Sequence, residues 1–497
     1  MIAELENEIL MARIRIYSLS GSTPLQQIES KGSSLFVKRE DLSPIHAYKW
    51  RGAFNRMSVL NQKELKNGVV TASAGNHAQG VALSAAKLGT HAKIFMPLST
   101  PVMKQNSVRR IGGDHVEVIL TGDTYDAASF AANKYAEKGY TFIHPYDHIL
   151  TIGGQGTIAD EIVMSGEGPF DAAFLQIGGG GMASGVACWL RKYYPNIQIF
   201  GVEGIQQAGM TAAFKNGGPI TLDYVDVFCD GTAVKRVGDL TYKYCNEFID
   251  EMVSVDNREV CSGIQFLWEN LRCIPEPAGA LGVAAALKLK DRLHGKKVIT
   301  IVCGANMDFG QLGVLSKGIL GRQYYRLKIK EGIGTLSELL SNFFGSVNIT
   351  EFQFGKKDLD VAWPVIGVDG NNQEIESLEL SLRSASIEYE NVTGSEDVDF
   401  GIIPFHSKLI KVPYFIKLEF YERSGALIEF LNEILNISAN ICYFKYSFTG
   451  ERVGRALIGF DFDSESKKLE FEKALRSHNS GYRSFVEVKE SFYNRIS

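Results

Sequence analysis

No run in this 497-residue chain reaches the roughly 18–20 apolar residues that a membrane-spanning helix needs. Positive charge is not in excess either. The net charge is −5 and the pI about 6.1, which removes the electrostatic case for nucleic acid or an anionic membrane. Seven cysteines stand far apart, at 188, 229, 245, 261, 273, 303 and 442, with no C-x-x-C pair. A disulfide framework and a zinc site are therefore not expected, and a reducing cytoplasm is the expected setting. The first residues, Met1 to Ile14, are interrupted by Glu4, Glu6, Glu8 and Arg13, which is the pattern of neither a signal peptide nor a transit peptide. Proline is scarce, 13 residues against 50 glycines, so tight loops rather than disorder are expected.

What remains is the composition of an ordinary globular protein, 45% hydrophobic and 22% charged. The length exceeds what one core supports, so two or three domains are expected. Over residues 1–320, apolar strand-like runs alternate with Ala-rich amphipathic stretches. The runs include Val69-Val70-Thr71, Ala92 to Met96, Val116 to Ile119, Ala172 to Ile177, Gln198 to Val202 and Val298 to Val302. Gly80 to Leu88 and Thr124 to Lys138 are helix candidates between them. This alternation predicts an α/β fold, with parallel sheets covered by helices.

Near Gly321 the pattern changes to charged, alternating strands, and a repeat emerges. Arg326 to Ile329, Gly334-Thr335-Leu336 to Leu340 and Val347-Asn348-Ile349 to Phe352 form the first copy. Phe415 to Phe420, Gly425-Ala426-Leu427 to Leu431 and Ala439-Asn440-Ile441 to Phe444 form the second. Each reads strand, glycine turn, amphipathic helix, strand, with a further strand candidate at Val361 to Val368 or Ala456 to Phe462. Two α+β modules are predicted, over 325–405 and 412–497.

Three segments carry chemistry. Lys49 lies in Ala47-Tyr48-Lys49-Trp50-Arg51-Gly52, among small and aromatic neighbours that would desolvate an amine and disfavour its charge. Thr71 to Gly80 is a small-residue loop bearing two hydrogen-bonding side chains, Asn76 and His77. Gly178, Gly179, Gly180 and Gly181 follow an apolar strand and precede a helix candidate, Met182 to Tyr194, so backbone N–H groups can converge on a phosphate. Gly178, Gly180 and Ala183 also fit G-x-G-x-x-A, with Glu203 placed 25 residues after Gly178. That segment alone is compatible with a dinucleotide-binding dehydrogenase. The three segments together instead suit pyridoxal phosphate, which needs a lysine for its aldehyde and a cradle for its phosphate. A lone lysine is more often a solvated charge, so the ensemble carries the reading.

The run Lys38-Arg39-Glu40-Asp41-Leu42-Ser43-Pro44-Ile45-His46-Ala47-Tyr48-Lys49-Trp50-Arg51-Gly52-Ala53 resembles the cofactor-lysine segment of threonine dehydratases (threonine ammonia-lyases), which are fold-type II pyridoxal phosphate enzymes. Ser73-Ala74-Gly75-Asn76-His77 resembles their asparagine loop, and the tetraglycine their phosphate loop. Thr23-Pro24-Leu25, Glu276 to Ala280 and Cys303 to Asn306 resemble further family segments in order, over residues 20–320. The C-terminal repeat resembles the paired ACT-like regulatory domains of the biosynthetic, isoleucine-inhibited form.

The resemblance implies a catalytic domain over 1–320, with a smaller subdomain over about 41–148. It implies that Lys49 holds pyridoxal 5′-phosphate and then removes the Cα proton. Gly178 to Gly181 would bind its phosphate, Asn76 its ring oxygen, and Cys303 would face its ring nitrogen. Ser73, Ala74 and Asn76 would receive the substrate carboxylate. The implied reaction is deamination of L-threonine to 2-oxobutanoate and ammonia, with L-serine left open as a second substrate. Isoleucine as inhibitor, valine as its antagonist, and a homotetramer follow from the same resemblance.

Departures from the pattern sharpen it. Related serine racemases carry serine where this chain has Ala74, and a methyl group cannot deliver a proton. A thiol at 303 cannot hold a protonated ring nitrogen as a carboxylate does, which favours elimination over racemisation or transamination. The racemase-like branch has a divalent-cation site starting at the position of Glu203; six residues on stands Gly209, so no metal is expected. Tyr48 and Trp50 are candidates to pack on the cofactor, with ordinary core packing the alternative. The rival functions are a β-replacement enzyme of the same fold, a nicotinamide dehydrogenase, and a non-catalytic amino-acid sensor.

Overall fold

The computed structural model describes residues 1–488 apart from 31, 99, 123–124, 308–311, 313–321, 333, 346, 371, 394, 396–397, 399–402, 422–439, 448–452 and 478–483. The chain divides into two compact units, Met1–Ser316 and Lys317–Ser497.

The first unit holds two sheets. The larger runs in the order β1 (Leu25–Ser30), β2 (Ser33–Arg39), β10 (Lys297–Val302), β7 (Ala172–Gln176), β8 (Gln198–Gly204), β9 (Glu251–Val255). All its pairings are parallel except that of β1 with β2. The smaller is wholly parallel, in the order β5 (Val116–Leu120), β4 (Ala92–Met96), β3 (Val69–Ala72), β6 (Thr141–Phe142). β3 and β7 are buried at every position, which is why their sequences are continuous apolar runs rather than alternations. The expected helices form, with ends moved by a residue or more: Asn76–Leu88, Tyr125–Ala136 and Gly181–Tyr193. No helix among the described residues is long and apolar enough to cross a membrane.

Helix Lys49–Ser58 packs closely on helix Asn76–Leu88. A Cβ at Gly80 would meet the Lys49 carbonyl oxygen and the Trp50 Cα at 3.0 Å. Glycine at 80 is what lets the two chemistry-bearing segments touch.

The second unit is built on one antiparallel sheet, accompanied among the described residues by helices Thr335–Phe343, Asn372–Ser384 and Glu465–Ser477. The order of the sheet is β13 (Val361–Ala362), β11 (Gln323–Lys330), β14 (Val365–Asp369), β12 (Asn348–Gly355), β17 (Asn440–Ser447), β18 (Val453–Phe462), β16 (Val412–Tyr421), β19 (Ser484–Glu487), and β15 (Glu388–Asn391) also pairs with β11. The strand expected over 361–368 is split at Trp363-Pro364, where proline removes a ladder donor. The repeat is visible in the backbone. β12 shifts register between Ile349 and Glu351 against β14, and β17 shifts between Ile441 and Tyr443 against β18. Both shifts fall just after the repeated Asn-Ile pair, and a β-bulge of this kind bends a strand at a chosen place. β12 and β17 pair with each other, joining the two copies into one sheet. The rings of Phe352 and Phe444, 4.7 Å apart, pack across that junction. The helix expected over Gly425 to Leu431 lies outside the described residues.

Candidate active site

The chemistry-bearing segments all sit where strands end. Ser73-Ala74-Gly75 follows β3 and leads into helix Asn76–Leu88. Gly178-Gly179-Gly180 follows β7 and leads into helix Gly181–Tyr193. Cys303 follows β10. Carboxyl ends of parallel strands are where α/β folds place ligands, because helix N-termini converge there.

Lys49 reaches this edge by a local pairing. The Tyr48 N–H donates to the Cys303 carbonyl at 3.1 Å, and the Ala305 N–H to the His46 carbonyl at 2.9 Å. An isolated bridge joins Ala47 to Gly304. The stretch before Lys49 is thereby fastened to the end of β10, and helix Lys49–Ser58 starts at the lysine.

A cavity of about 260 Å³ opens between the two sheets, lined by Lys49, Ser73, Ala74, Asn76 and Gly179, with Lys104, Tyr125 and Asp230 on its far wall. An adjoining recess is lined by Lys49, Gly178 to Gly181, Thr232 and Cys303. Every site residue expected from the sequence therefore lines one of two connected spaces. Tyr48 lines the recess. Trp50 does not. It is fully buried in a cluster with Ala12, Ile16, Ile45, Ala47 and Phe54, so for Trp50 the core reading is the right one.

Burial sets the electrostatics. Loss of water pushes the Lys49 amine from its ordinary value down to about 8, an effect that Cys303 and Glu276 partly oppose. The amine is thus readily available in its nucleophilic form. His77 is held down to about 3, first by burial and then by Lys49. It is a neutral group whose Nε2 lies 3.0 Å from the Ile143 carbonyl oxygen. Burial pushes the Cys303 thiol far up, so it stays protonated.

The glycine loop fits a phosphate by what it excludes. A Cβ at Gly179 would stand 2.3 Å from the Tyr146 ring, and Gly180 adopts φ +93°, a left-handed conformation that L side chains rarely take. The loop runs into a helix N-terminus, whose first N–H groups have no partner inside the helix. A compact anion is what such a cradle takes.

Glu203 is spent elsewhere. Its carboxylate accepts from Met210 N at 2.7 Å, Thr211 N at 3.0 Å and Thr211 Oγ1 at 2.7 Å. It caps helix Gly209–Asn216 and turns neither oxygen to a ribose, which removes the support a dinucleotide reading drew from its spacing.

Sequence reasoning missed Glu276 and Asn306, quoted only as parts of longer segments. The Glu276 carboxyl is raised to about 7, by burial first and by Asp230 second. It accepts from Asn76 Nδ2 at 2.7 Å and from Asn306 N at 3.1 Å. An acid directly before Pro277 reads in sequence as a helix start, and nothing local says that it turns inward.

Residues 16–304 match the family model described as pyridoxal-phosphate dependent enzyme. Residues 411–494 match the C-terminal regulatory domain of threonine dehydratase. The chain is similar to the biosynthetic L-threonine dehydratase IlvA of Haemophilus influenzae, at 36% identity covering 98% of this chain and 96% of that protein. It is also similar to the solved structure of the processed form of threonine deaminase isoform 2 from Solanum lycopersicum, with a TM-score of 0.61 and 39% identity, covering 64% of this chain and 93% of that one. The solved serine racemase of maize aligns with a TM-score of 0.58 and 32% identity, covering 62% of this chain and 94% of that one.

Proposed function

We infer, for a chain that belongs to the pyridoxal-phosphate-dependent enzyme family and carries the regulatory domain of threonine dehydratase, that it deaminates L-threonine to 2-oxobutanoate and ammonia, the first step toward isoleucine. The observation that carries the site assignment is Lys49, a buried amine lowered to about 8, in a cavity shared with the asparagine loop and the glycine loop.

Pyridoxal phosphate, when bound, supplies an aldehyde to hold the amino group and a ring to withdraw electrons. Gly178 to Gly181 would hold its phosphate, Asn76 would donate to its ring oxygen, and Cys303 would stand by its ring nitrogen. Lys49 would hold the aldehyde; once threonine takes its place there, the freed amine would take the Cα proton, and the β-hydroxyl would leave as water on gaining a proton within the site. The enamine released takes up water again and yields 2-oxobutanoate and ammonia.

Ser73, Ala74 and Asn76 receive the substrate carboxylate. Ala74 brings a methyl group to the cavity wall where a racemase needs a second proton donor, which supports elimination. The protonated Cys303 thiol supports it too, since a thiol does not stabilise a positive ring nitrogen. One substrate methyl in an apolar pocket is worth only about 1–3 kcal/mol, so L-serine is proposed as a second, weaker substrate.

The pH dependence of cofactor capture tests the assignment of Lys49. Only the neutral amine attacks an aldehyde. Capture by the apoenzyme is expected to quicken about tenfold per pH unit below about 8 and to level off above it. Stopped-flow absorbance reads this directly. A rate that still climbs beyond about pH 9 belongs to an ordinary lysine.

The second unit is proposed to bind isoleucine as inhibitor, with valine as its antagonist. A recess there is lined by Ile329, Leu336, Phe354, Pro364 and Ile441 together with Glu331, which also pairs with Lys356 at 3.8 Å and accepts from Asn440 at 3.0 Å. Apolar walls beside a carboxylate suit a branched aliphatic amino acid, whose ammonium group needs an acceptor. Inhibition requires that the effector bind two states of the enzyme unequally. Removing residues 325–497 is expected to leave threonine turnover and erase the response to isoleucine in a steady-state assay. Inhibition that persists in the truncated enzyme places the effector site in the first unit. A homotetramer in the cytoplasm completes the proposal, and sedimentation of the purified chain tests the assembly.

A further inference from the structure

One buried acid in the cavity has no part in the chemistry above. Glu276 stands at the N-cap position of helix Pro277–Lys288 but makes no side-chain capping bond there. Its carboxylate turns into the cavity and lines both connected spaces. Oε1 accepts from Asn76 Nδ2 at 2.7 Å, and Oε2 accepts from Asn306 N at 3.1 Å. Asn306 closes the ring of bonds. Its Nδ2 donates to Asn76 Oδ1 at 2.8 Å and to the Ile45 carbonyl at 2.7 Å.

This ring leaves the Asn76 amide only one orientation. Turned over, it would set its oxygen against the Glu276 carboxylate and its NH2 against the NH2 of Asn306. The second contact is repulsive whatever the charge on Glu276, because the Ile45 carbonyl fixes which end of the Asn306 amide is the NH2. In the orientation held, the Asn76 oxygen is engaged and one of its two N–H groups is engaged. Among the described residues nothing takes the second N–H, which is left as a donor for a ligand acceptor.

We propose that Glu276 is a positioning residue: with Asn306 it locks the Asn76 amide so that an N–H, never a carbonyl oxygen, faces the ring oxygen of the cofactor. The proposal rests on the pyridoxal phosphate reading and extends it from the residue that touches the cofactor to the pair that aims it. Glu276 acts through Asn76. Its effect on the cofactor exists only while Asn76 is there to be aimed.

A double-variant cycle on the full-length protein tests this, with pyridoxal phosphate affinity and the spectrum of the bound cofactor as readouts. Glu276→Ala and Asn76→Ala are each expected to weaken binding about tenfold and to shift the absorbance of the bound cofactor in the same direction. The combined Asn76→Ala, Glu276→Ala protein is expected to bind no more weakly than Asn76→Ala alone. Glu276→Gln, which keeps a carbonyl to accept from Asn76, is expected to recover most of the affinity. Losses that multiply in the double variant overturn the proposal, and so does a Glu276→Ala protein with lower melting temperature but unchanged affinity and spectrum. If the unsubstituted protein itself captures no pyridoxal phosphate, the cofactor reading fails instead, and the two failures stay distinct.

Discussion

In the Lys49→Ala protein, release of 2-oxobutanoate from threonine is expected to fall by on the order of 10⁴-fold or more. On the proposed mechanism Lys49 has two duties, to hold the cofactor aldehyde and to accept the Cα proton, and a methyl group performs neither. The loss should be chemical rather than structural. Lys49 opens its helix, its side chain makes no hydrogen bond among the described residues, and the packing face of that helix is carried by Trp50, Ala53, Phe54 and Met57. Far-ultraviolet circular dichroism of the variant should overlay that of the unsubstituted protein. Absorbance of the lysine-bound cofactor should vanish along with the activity. Turnover at an undiminished rate would remove Lys49 from the mechanism and with it the assignment of the cavity.

The Arg51→Met protein should lose about 3–5 kcal/mol of stability, the usual cost of leaving buried charge unpaired. Arg51, Glu40, Glu161 and Lys38 form a buried charge network two residues along the helix from Lys49. Arg51 donates to Glu40 at 2.9 and 2.8 Å and to Glu161 at 2.6 and 3.0 Å. Lys38 and the Thr23 hydroxyl also reach this pair of acids. Methionine fills a similar volume but leaves two carboxylates facing a single lysine. The thermal midpoint should fall by on the order of 10 °C. As a control, Glu117→Gln removes the partly exposed pair of Lys93 and Glu117, and it should move the midpoint by far less.

The pH dependence of this loss has a definite sign. Burial alone would raise the Glu161 carboxyl. Arg51 and Lys38 more than offset it, and the net position is below the ordinary carboxylate value. Such a group contributes stability that is present above the unfolded value, about 4.3, and is lost as pH falls through the folded one. Without Arg51, burial dominates and the carboxyl protonates earlier. The gap in melting temperature between the two proteins should therefore narrow from pH 8 toward pH 5. A gap that is constant across this range would mean that the cost is one of packing and not of charge.

How much of the site could be read beforehand depends on how local each signal is. Lys49, Asn76 and the tetraglycine each sit in a short segment of recognisable composition, and the three segments taken together carried the reading that none carried alone. Cys303 was legible through its neighbours Gly304, Ala305 and Asn306. Trp50 was not. Adjacent residues on a helix point about 100° apart, and only the packing of helix Lys49–Ser58 decides which of the two faces the cavity. Glu276 was illegible for a different reason. Its partner Asn76 lies 200 residues away in the chain, and no spacing rule spans such a distance. Glu203 shows the opposite failure. Its spacing from Gly178 fits a dinucleotide acid, but the structure commits both its oxygens to Met210 and Thr211.

In the second unit, the repeated Asn-Ile pairs marked two copies of one module, and the register shifts after them repeat in the backbone. That the copies join through β12 and β17 into a single sheet could not be read, since strand partners are chosen by burial of faces over long separations.

By itself the sequence determined the class of fold, the cofactor and the direction of the chemistry, because short segments of distinctive composition, in the order that the family resemblance carries, suffice for these. Only the tertiary structure decided which neighbour of Lys49 faces the cavity, where Glu203 spends its charge, and that Glu276 and Asn306 hold Asn76 in one orientation. The reason is physical. Identity and spacing fix what a side chain can donate or accept, but the partner that satisfies it in a water-poor interior is chosen by packing between segments hundreds of residues apart.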